Sequence, residues 1–423
     1  MTEPAGVRVV LDARPLQEPE RAPLTAAYLD GLLGAFDAEP LTGESFALLL
    51  RSDLDDPTAA FTHLDVIGRR LLPPTHLLRS AALSVDPFVL SGATVGAAWR
   101  AEAGGAAGAV YHAAGGSMPL ATGLPLVVTL LDLAPWELPR AYQRSPAARF
   151  GHRLRARLLR GAAAVIVGTD AVGTAARRLL HLRRDRVRVV PFAPRAAFRP
   201  WSAVAAGTAG PDRDSRPGND VRAERERLGL PERYLVYAGR YDARQDLATL
   251  LRALHLLGGA GRPAGLADSE PWPPRVLLIG ASPADRASLA RAAARVDVGE
   301  ALSYAPRLTD ERGAALVRGA RAAILPAVSD ATGLPALEAI SCGTPVVASA
   351  VGALPEIVGA AGILVAPRDP ERLAAALATA WSDDRVHARL ASEARDRAEA
   401  SAWTWADVAR ETRRIYAEVG VPR

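Results

Sequence analysis

The chain has 423 residues, and all 51 of its basic residues are arginine. With 46 acidic residues the formal net charge is +5, while 49% of the residues are hydrophobic and 23% are charged, as in ordinary globular proteins. This composition excludes a largely disordered or collagen-like chain, and the absence of lysine excludes catalysis through a lysine Schiff base or amine nucleophile.

Short apolar runs alternate with amphipathic helical stretches in the first half of the chain. The predicted strands are Val7–Leu11, Phe46–Leu50, Ala109–His112, Leu126–Leu130, Ala164–Val167 and Val187–Pro191. Helical patterns over Ala26–Phe36 and Ala147–Arg160 lie between strands. Alternation of this kind predicts an α/β fold with a parallel sheet covered by helices on both faces.

The region 201–222 interrupts this alternation. It is poor in apolar residues and rich in Gly, Pro and Asp, which is typical of a linker or insertion. We therefore expect a first domain over 1–200, a linker over 201–222 and a second domain over 223–402, followed by a terminal segment over 403–423. The second domain repeats the alternation, with predicted strands Tyr234–Ala238, Arg275–Gly280, Ala301–Tyr304, Ala322–Pro326, Pro345–Ser349 and Gly362–Val365.

Several classes of site and location are unfavourable for this sequence. The single cysteine, Cys342, excludes an intrachain disulfide, and one cysteine with seven scattered histidines has no zinc-ligand spacing, so we expect no metal. Residues 1–11 are too charged for a signal peptide, and no apolar run approaches the roughly 18 residues of a membrane-spanning helix. We therefore expect a cytoplasmic protein.

The most informative segment follows the strand that ends near Pro326. A loop carries Asp330 and Gly333, and Pro335 then suits the first turn of a helix because its missing N–H costs nothing there. In an open parallel sheet such a helix begins at the carboxyl edge, where ligands bind. The N–H groups of Gly333 and Leu334 are expected to face an anion, with Asp330 and Glu338 beside it to accept hydroxyls. The alternative is that these acids are an ordinary turn residue and an ordinary helix acid.

Asp330-Ala-Thr-Gly-Leu-Pro-Ala-Leu-Glu338 resembles the acid-x7-Glu donor motif of family 4 retaining glycosyltransferases (glycosyl transferases group 1). Tyr237-Ala-Gly239-Arg240 resembles the loop whose Arg and Lys hold the donor diphosphate in that family, and Val127–Leu133 resembles its Thr-His-Asp-Leu segment. The resemblance implies a GT-B fold, in which two Rossmann-like domains face each other and a C-terminal helix crosses back to the first domain.

The resemblance also implies roles for individual residues. Arg240, Asp330 and Asp132 are the implied catalytic residues: Arg240 neutralises the leaving diphosphate, Asp330 orients the donor sugar and Asp132 lines the acceptor side. The implied donor-binding residues are Gly239, Arg240, Arg244, Gln245, Gly333, Leu334 and Glu338, of which Glu338 holds the ribose. His112 and Arg21 are expected on the acceptor side, although a packed histidine at a strand end is the alternative for His112.

The implied activity is transfer of a hexose, with retention and without metal or cofactor, from a nucleotide sugar such as a UDP- or GDP-sugar. The implied acceptor is a polysaccharide, a lipid-linked glycan or a small molecule. Three departures favour an alternative, a catalytically degenerate binding or assembly subunit. Gln245 stands where the family has Lys, Leu131 stands where it has His, and residues 16–21 lack the usual glycines. An epimerase or a phosphorylase on the same fold fits less well, because this architecture's phosphorylases often hold pyridoxal phosphate on a lysine.

Four arginines, at 149, 153, 157 and 160, share one face of a predicted helix. They form either a solvated basic face or a surface that docks on an anionic membrane, which would place the protein peripherally at the inner membrane face. Nucleic acid is not expected as a partner, because aromatic residues make up only 5% of the chain and do not interleave with the basic ones.

Overall fold

In a computed structural model of the protein, the residues described are 7–72, 108–115, 118–119, 123–200, 219–400 and 403–420. The chain divides into two compact units, Met1–Ala193 with Trp403–Arg423, and Pro194–Ala402. Residues 194–200, which the sequence analysis assigned to the first domain, thus belong to the second unit. The predicted linker lies outside the described residues up to position 218, and its last residues, 219–222, are helical.

The first unit is a parallel α/β sheet. Its strands are β1 (Arg8–Asp12), β2 (Ser45–Arg51), β3 (Val66–Leu72), β4 (Ala109–Ala114), β5 (Leu126–Thr129), β6 (Ala164–Val167) and β7 (Val187–Val189), in the order β3-β2-β1-β4-β5-β6-β7. Its helices are α1 (Arg14–Gln17), α2 (Pro23–Ala38), α3 (Ala134–Glu137), α4 (Pro139–Tyr142), α5 (Pro146–Gly161) and α6 (Asp170–Leu180), with 3-10 turns at Pro57–Ala60 and Arg184–Arg186. The inner strands are almost wholly buried, as expected for strands covered on both faces.

Strand β3 was missed in the sequence because it does not look like a buried strand. It lies at the edge of the sheet and carries Arg69 and Arg70 in its centre. The Arg69 guanidinium pairs with Asp56 at 2.7 Å, and Ile67 and Leu71 are exposed. Charged residues are common on edge strands because they discourage pairing with another chain, so the apolar pattern is lost there.

The second unit repeats the architecture with six parallel strands. They are β8 (Leu235–Ala238), β9 (Val276–Ile279), β10 (Leu302–Ala305), β11 (Ala322–Leu325), β12 (Val346–Ser349) and β13 (Gly362–Val365), in the order β10-β9-β8-β11-β12-β13. Its helices are α7 (Asn219–Arg227), α8 (Leu247–Ala260), α9 (Pro283–Ala294), α10 (Asp310–Arg318), α11 (Leu334–Ser341), α12 (Leu354–Val358), α13 (Pro370–Ser382) and α14 (Asp384–Ala400), with 3-10 turns at Gly299–Ala301 and Gly359–Ala361.

The last helix, α15 (Trp405–Val419), returns to the first unit, as the resemblance implied. Its residues Val408 and Tyr416 lie in the first unit's core, and the Trp405 ring stands edge-on to Tyr28, with centroids 5.7 Å apart. Arg413 forms a buried ion pair with Glu44, in which Nη2 and Oε2 are 2.7 Å apart. Apolar packing and a buried ion pair therefore hold α15 in place within the first unit.

The helix of the acid-x7-Glu segment begins and ends as its sequence predicts. Helix α11 starts at Leu334 with Pro335 in its first turn, and Gly343 follows its last residues with a φ of +76°. A left-handed residue after a helix favours glycine because it has no Cβ. Helix α11 therefore begins directly after the loop that carries Asp330 and ends at the turn that leads into strand β12.

Candidate functional site

The predicted donor-binding residues lie at the point where the topology of the second sheet reverses. Strands β8 and β11 are neighbours at its centre, and the chain proceeds from β8 to β9 and β10 on one side and from β11 to β12 and β13 on the other. The loop that follows β8 carries Arg240 to Gln245, and the loop that follows β11 carries Asp330 and Gly333. Such a switch point leaves a crevice at the carboxyl ends of the strands, where ligands bind in doubly wound folds.

The loop after β8 is organised around Asp242, which the sequence analysis did not identify. Its Oδ2 accepts from Arg240 Nε at 3.1 Å and from Arg244 Nη2 at 2.6 Å. Burial alone would raise the pKa of Asp242, but the hydrogen bond and charge of Arg244 outweigh burial and hold that pKa below its ordinary value. Asp242 therefore stays ionised and holds both guanidinium groups within this loop. An acid between two predicted phosphate-binding arginines was the available sequence signal.

Gln245 follows these arginines and is 7% exposed. Its Oε1 has no hydrogen-bond partner among the residues that the structure describes. A buried polar atom without a partner is unfavourable by about 1–3 kcal/mol. Gln245 thus places a neutral carboxamide with an unpaired oxygen where the resemblance implies a lysine ammonium.

The two loops of the site are joined to each other. The Val328 N–H donates to the Arg244 carbonyl at 2.7 Å. Asp330 is buried, and this burial raises the pKa of its carboxyl, while hydrogen bonds from Gly333 and Thr332 and the charge of Arg244 act in the opposite direction. The structure therefore brings Arg244 and Asp330, which are 86 positions apart in the sequence, into one electrostatic environment.

The predicted anion cradle at the start of α11 requires a correction. Asp330 Oδ1 accepts the Gly333 N–H at 2.7 Å and the Thr332 N–H at 2.9 Å. The Leu334 N–H is directed at Thr332 Oγ1, 3.4 Å away. The short side chains of Asp and Thr reach backbone donors a few residues on, and here they accept from N–H groups of the loop and of the first helical residue. The two N–H groups expected to face an anion are thus engaged inside the protein.

Glu338 lies on the buried face of α11, with its carboxylate held by Arg195. Arg195 Nε and Nη2 donate to Glu338 Oε1 and Oε2 at 2.6 and 2.9 Å, and Arg195 Nη1 pairs with Asp310. Burial raises the pKa of Glu338, against the opposing effect of the Arg195 charge. Arg195 was missed because it precedes Glu338 by 143 positions and belongs to no motif, so only the tertiary structure brings them together.

The acceptor-side role expected for His112 is corrected by its surroundings. The ring is fully buried in the first unit, with Nδ1 2.6 Å from the Tyr416 hydroxyl and Nε2 2.8 Å from Thr129 Oγ1. Burial lowers the pKa of His112 to about 3, so the ring is neutral. With both nitrogens paired inside the core, His112 is a packed strand residue, which is the alternative that the sequence left open.

The other two acceptor-side candidates have separate partners. Asp132 is half-buried, and its Oδ1 accepts the Ala134 N–H at 2.9 Å at the start of α3. Its charge acts on the buried guanidinium of Arg155, which donates to the Gly115 carbonyl. Arg21 is exposed and pairs with Glu18 at 2.7 Å. Among the candidates, Asp132 alone is anchored beside a strand end, since it follows β5.

Two further observations concern metals and membranes. Within the described residues, no group of three or more His, Cys, Asp and Glu side chains is arranged to hold a metal ion. Over the same part of the chain, no helix has the length and apolarity needed to span a membrane.

Comparison with known proteins agrees with the resemblance stated from the sequence. Residues 232–383 match the family model described as Glycosyl transferases group 1. The chain is 33% identical over 214 residues to the D-inositol 3-phosphate glycosyltransferase of Streptomyces bingchenggensis, covering 48% of this chain and 45% of the relative. It is 32% identical over 186 residues to the O-antigen chain mannosyltransferase B of Escherichia coli, covering 43% and 45%. The chain thus spans about half the length of these relatives.

Solved structures resemble the chain over nearly its whole length. The sucrose-phosphate synthase of Thermosynechococcus elongatus superposes with a TM-score of 0.68 at 21% identity, covering 97% of this chain and 98% of that one. Anabaena Alr3699/HepE in complex with UDP and glucose superposes with a TM-score of 0.67 at 16% identity, covering 97% and 100%. At such identities the likeness concerns the fold alone, and it confirms the predicted GT-B class of two Rossmann-like domains.

Proposed function

Because the second unit contains a glycosyl transferases group 1 domain, we propose that the protein transfers a sugar from a nucleotide-diphosphate sugar to an acceptor, with retention of configuration and without metal or cofactor. The observation that carries this proposal is the joining of Arg240, Arg244 and Asp330 at the switch point of the second sheet. Neighbours of similar fold, such as Anabaena Alr3699/HepE in complex with UDP-glucose, support a nucleotide sugar as the donor.

In the proposed reaction, arginines supply the positive charge that stabilises the leaving diphosphate. When the bond from sugar to diphosphate breaks, negative charge grows on the leaving phosphate, and preorganised cations stabilise it. The Arg240 side chain is partly exposed and available for this contact, while Arg244 is more deeply buried against Asp242. Asp330 uses Oδ1 within its loop and offers Oδ2 to a hydroxyl of the donor sugar. Glu338 holds the nucleotide ribose, and Asp132 lines the acceptor side.

Titration calorimetry with UDP and GDP tests donor binding. A charge-assisted hydrogen bond contributes about 1.5–3 kcal/mol, so Arg240→Met is expected to weaken binding roughly 10- to 100-fold. Arg252→Met on the exposed face of α8 is the matched control and is expected to bind like wild type. If neither nucleotide binds wild type below millimolar concentration, the proposal fails. Retention is checked separately, from the anomeric configuration of the product by NMR.

A second candidate function is a catalytically degenerate binding or assembly subunit. It is favoured by the neutral Gln245, whose Oε1 has no partner among the described residues, and by the engagement of the Gly333 N–H with Asp330. The two candidates differ in turnover. Nucleotide binding without transfer or slow hydrolysis of any nucleotide sugar, together with activity gained in Gln245→Lys, favours the degenerate subunit; turnover by wild type excludes it.

We also propose that the acceptor is a glycan or lipid-linked molecule reached at the cytoplasmic face of an anionic membrane, through helix α5. Its four exposed arginines, 149, 153, 157 and 160, form no ion pair among the described residues, and the helix contains no acidic residue. Phe150, beside them, is 61% exposed. Basic side chains next to an exposed aromatic ring suit anionic headgroups at a bilayer surface.

Vesicle co-sedimentation tests this surface. Each arginine near an anionic bilayer contributes about 1 kcal/mol, so reversing Arg153 and Arg157 to Glu is expected to weaken binding to phosphatidylserine-containing vesicles roughly thirtyfold or more. The matched control reverses Arg385 and Arg389, which are exposed on α14 of the second unit. Binding that is indifferent to anionic lipid, or equally weakened by the control, contradicts the proposal.

A further inference from the structure

The first sheet has a switch point of its own. Strand β1 leads to β2 and β3 on one side, and its neighbour β4 leads to β5, β6 and β7 on the other. The crevice at such a point lies at the carboxyl ends of the strands, where ligands bind in doubly wound folds. Gly115 directly follows β4, and Asp132 lies in the loop after the next strand, β5. Side chains that reach both loops therefore border the crevice of the first unit.

Arg155 on helix α5 reaches both of these loops. Its Nη2 donates to the Gly115 carbonyl, and its charge interacts with that of Asp132. The guanidinium carbon lies 5.4 Å from the centroid of the Trp136 ring, on the short helix α3 that follows Asp132. The inward face of α5 thus places a cation at the carboxyl edge of the first sheet.

Arg155 differs from other buried arginines in its lack of an ion-pair partner. It is 6% exposed, and Arg51, Arg244 and Arg413, which are 6–7% exposed, each pair with a carboxylate. In the part of the chain that the structure describes, no carboxylate forms an ion pair with Arg155, and its buried Nε has no hydrogen bond. Burial of an uncompensated charge is unfavourable, and it lowers the pKa of Arg155. A negatively charged group of a ligand would supply the missing counter-charge.

His152 lies one turn before Arg155 and adds a second nitrogen without a partner. Its ring stands edge-on to the Trp136 ring, with centroids 5.9 Å apart, and its buried Nδ1 has no hydrogen bond among the described residues. Burial and the charge of Arg155 lower the pKa of His152, so the ring is neutral near pH 7. A neutral imidazole carries one N–H, which Nδ1 can donate to an anion. Residues three positions apart share one face of a helix, so both nitrogens belong to the same side of α5.

We propose that this crevice is an anion subsite, in which Arg155, with His152 beside it, binds a phosphate or carboxylate group of the acceptor. The inference rests on the proposed function, because it names the chemical class of the acceptor. Asp132, whose Oδ1 accepts the Ala134 N–H, suits a hydroxyl of the same molecule. The alternative is a structural role, in which Arg155 only ties α5 to the loop after β4.

Differential scanning calorimetry with simple anions, in the absence of nucleotide, tests the subsite. Inorganic phosphate, glucuronate and neutral glucose are each titrated at constant ionic strength. An anion at about ten times its Kd is expected to raise the unfolding midpoint of wild type by about 3–5 °C, and glucose is expected to leave it unchanged. A shift with phosphate alone identifies a phosphate group on the acceptor, and a shift with glucuronate alone identifies a carboxylate.

Arg155→Met is expected to lose this shift, because loss of a charge-assisted hydrogen bond weakens binding roughly 10- to 100-fold. Without anion its midpoint is expected to stay within about 2 °C of wild type, since the substitution removes an uncompensated buried charge together with one hydrogen bond.

Arg186→Met is the matched control. Arg186 also donates to backbone carbonyls in the first unit, those of Ala162 and Ala163, at 3.2 and 3.3 Å. It precedes β7 and therefore lies at the amino edge of the sheet, away from the switch point. The substitution removes the same charge from the same unit and is expected to leave the anion-induced shift as in wild type.

Three outcomes would overturn the inference. The first is a wild type whose midpoint neither anion raises, and the second is Arg155→Met stabilised by the anions as much as wild type. The third is Arg155→Met that fails to fold or melts far below wild type without anion, which would show that the guanidinium is structural. Because no nucleotide is present, the result is independent of the titrations with UDP and GDP. Nucleotide binding without an anion effect refutes the subsite alone, whereas an anion effect without nucleotide binding refutes the proposed function and leaves the anion site.

Discussion

Replacing His112 by Gln is expected to make the protein less sensitive to mild acid. The buried ring stays neutral in the folded state because its pKa is lowered to about 3, whereas in the unfolded chain it takes up a proton near its ordinary pKa of 6.5. Between these values the unfolded state binds more protons, so stability is lost as pH falls below 6.5. The loss is about 1.4 kcal/mol per pH unit, or about 2 kcal/mol at pH 5.

The assay is urea unfolding followed by circular dichroism at pH 7, 6 and 5. Gln can still bond Thr129 and Tyr416, and any constant cost of the substitution cancels when each protein is compared with itself across pH. Between pH 7 and pH 5 wild type is expected to lose about 2 kcal/mol more than the variant. The control His63→Gln removes an exposed histidine and is expected to follow wild type. Equal losses in wild type and His112→Gln would refute the account of His112 as a neutral core residue.

Two further substitutions test the packing that supports the site and the returning helix. At Gly352, where φ is +54°, a Cβ would lie 1.8 Å from the Asp330 carbonyl oxygen. Gly352→Ala is therefore expected to cost about 2–5 kcal/mol by thermal unfolding and to weaken nucleotide binding. The control is Gly259→Ala in helix α8, which has open space around its Cβ and is expected not to destabilise the protein, because alanine favours a helix more than glycine does. Arg413→Met leaves the buried Glu44 without its ion-pair partner. The free energy of unfolding in urea is expected to fall by about 3–5 kcal/mol. A fall of less than about 1 kcal/mol would show that the ion pair does not anchor α15.

The sequence predicted helices and strands well where the pattern of apolar and polar residues was regular. Strand β6 (Ala164–Val167) has the predicted bounds, and helix α5 (Pro146–Gly161) extends the predicted Ala147–Arg160 by one residue at each end. An unbroken apolar run and a regular amphipathic pattern are properties of neighbouring residues, so the sequence alone shows them. Strand β3 was missed because the arginines of an edge strand hide its pattern. The compact second unit begins at Pro194, before the low-complexity stretch, because unit boundaries depend on which residues pack together.

For the candidate site, the sequence predicted in which loops the candidate residues lie, but not what their side chains contact. The position of Arg240 and Asp330 in two loops of one sheet follows from the strand–loop–helix pattern, and the order of β8 and β11 makes those loops neighbours. The motif does not indicate that Asp330 accepts hydrogen bonds from the backbone of its own loop. The spacing of the motif is compatible with an Asp330 side chain directed at the backbone and with one directed at a ligand, and the structure shows the first.

The class of fold, the motif that leads into α11 and the neutral Gln245 can be read from residue types at short separations. Three contacts appear only in the folded chain: Arg195 holds Glu338, His112 lies in the core between Thr129 and Tyr416, and Asp242 keeps two arginines in place. Buried polar groups must find partners when water is removed. Those partners are chosen by proximity in the folded chain, which a pattern of neighbouring residues does not encode.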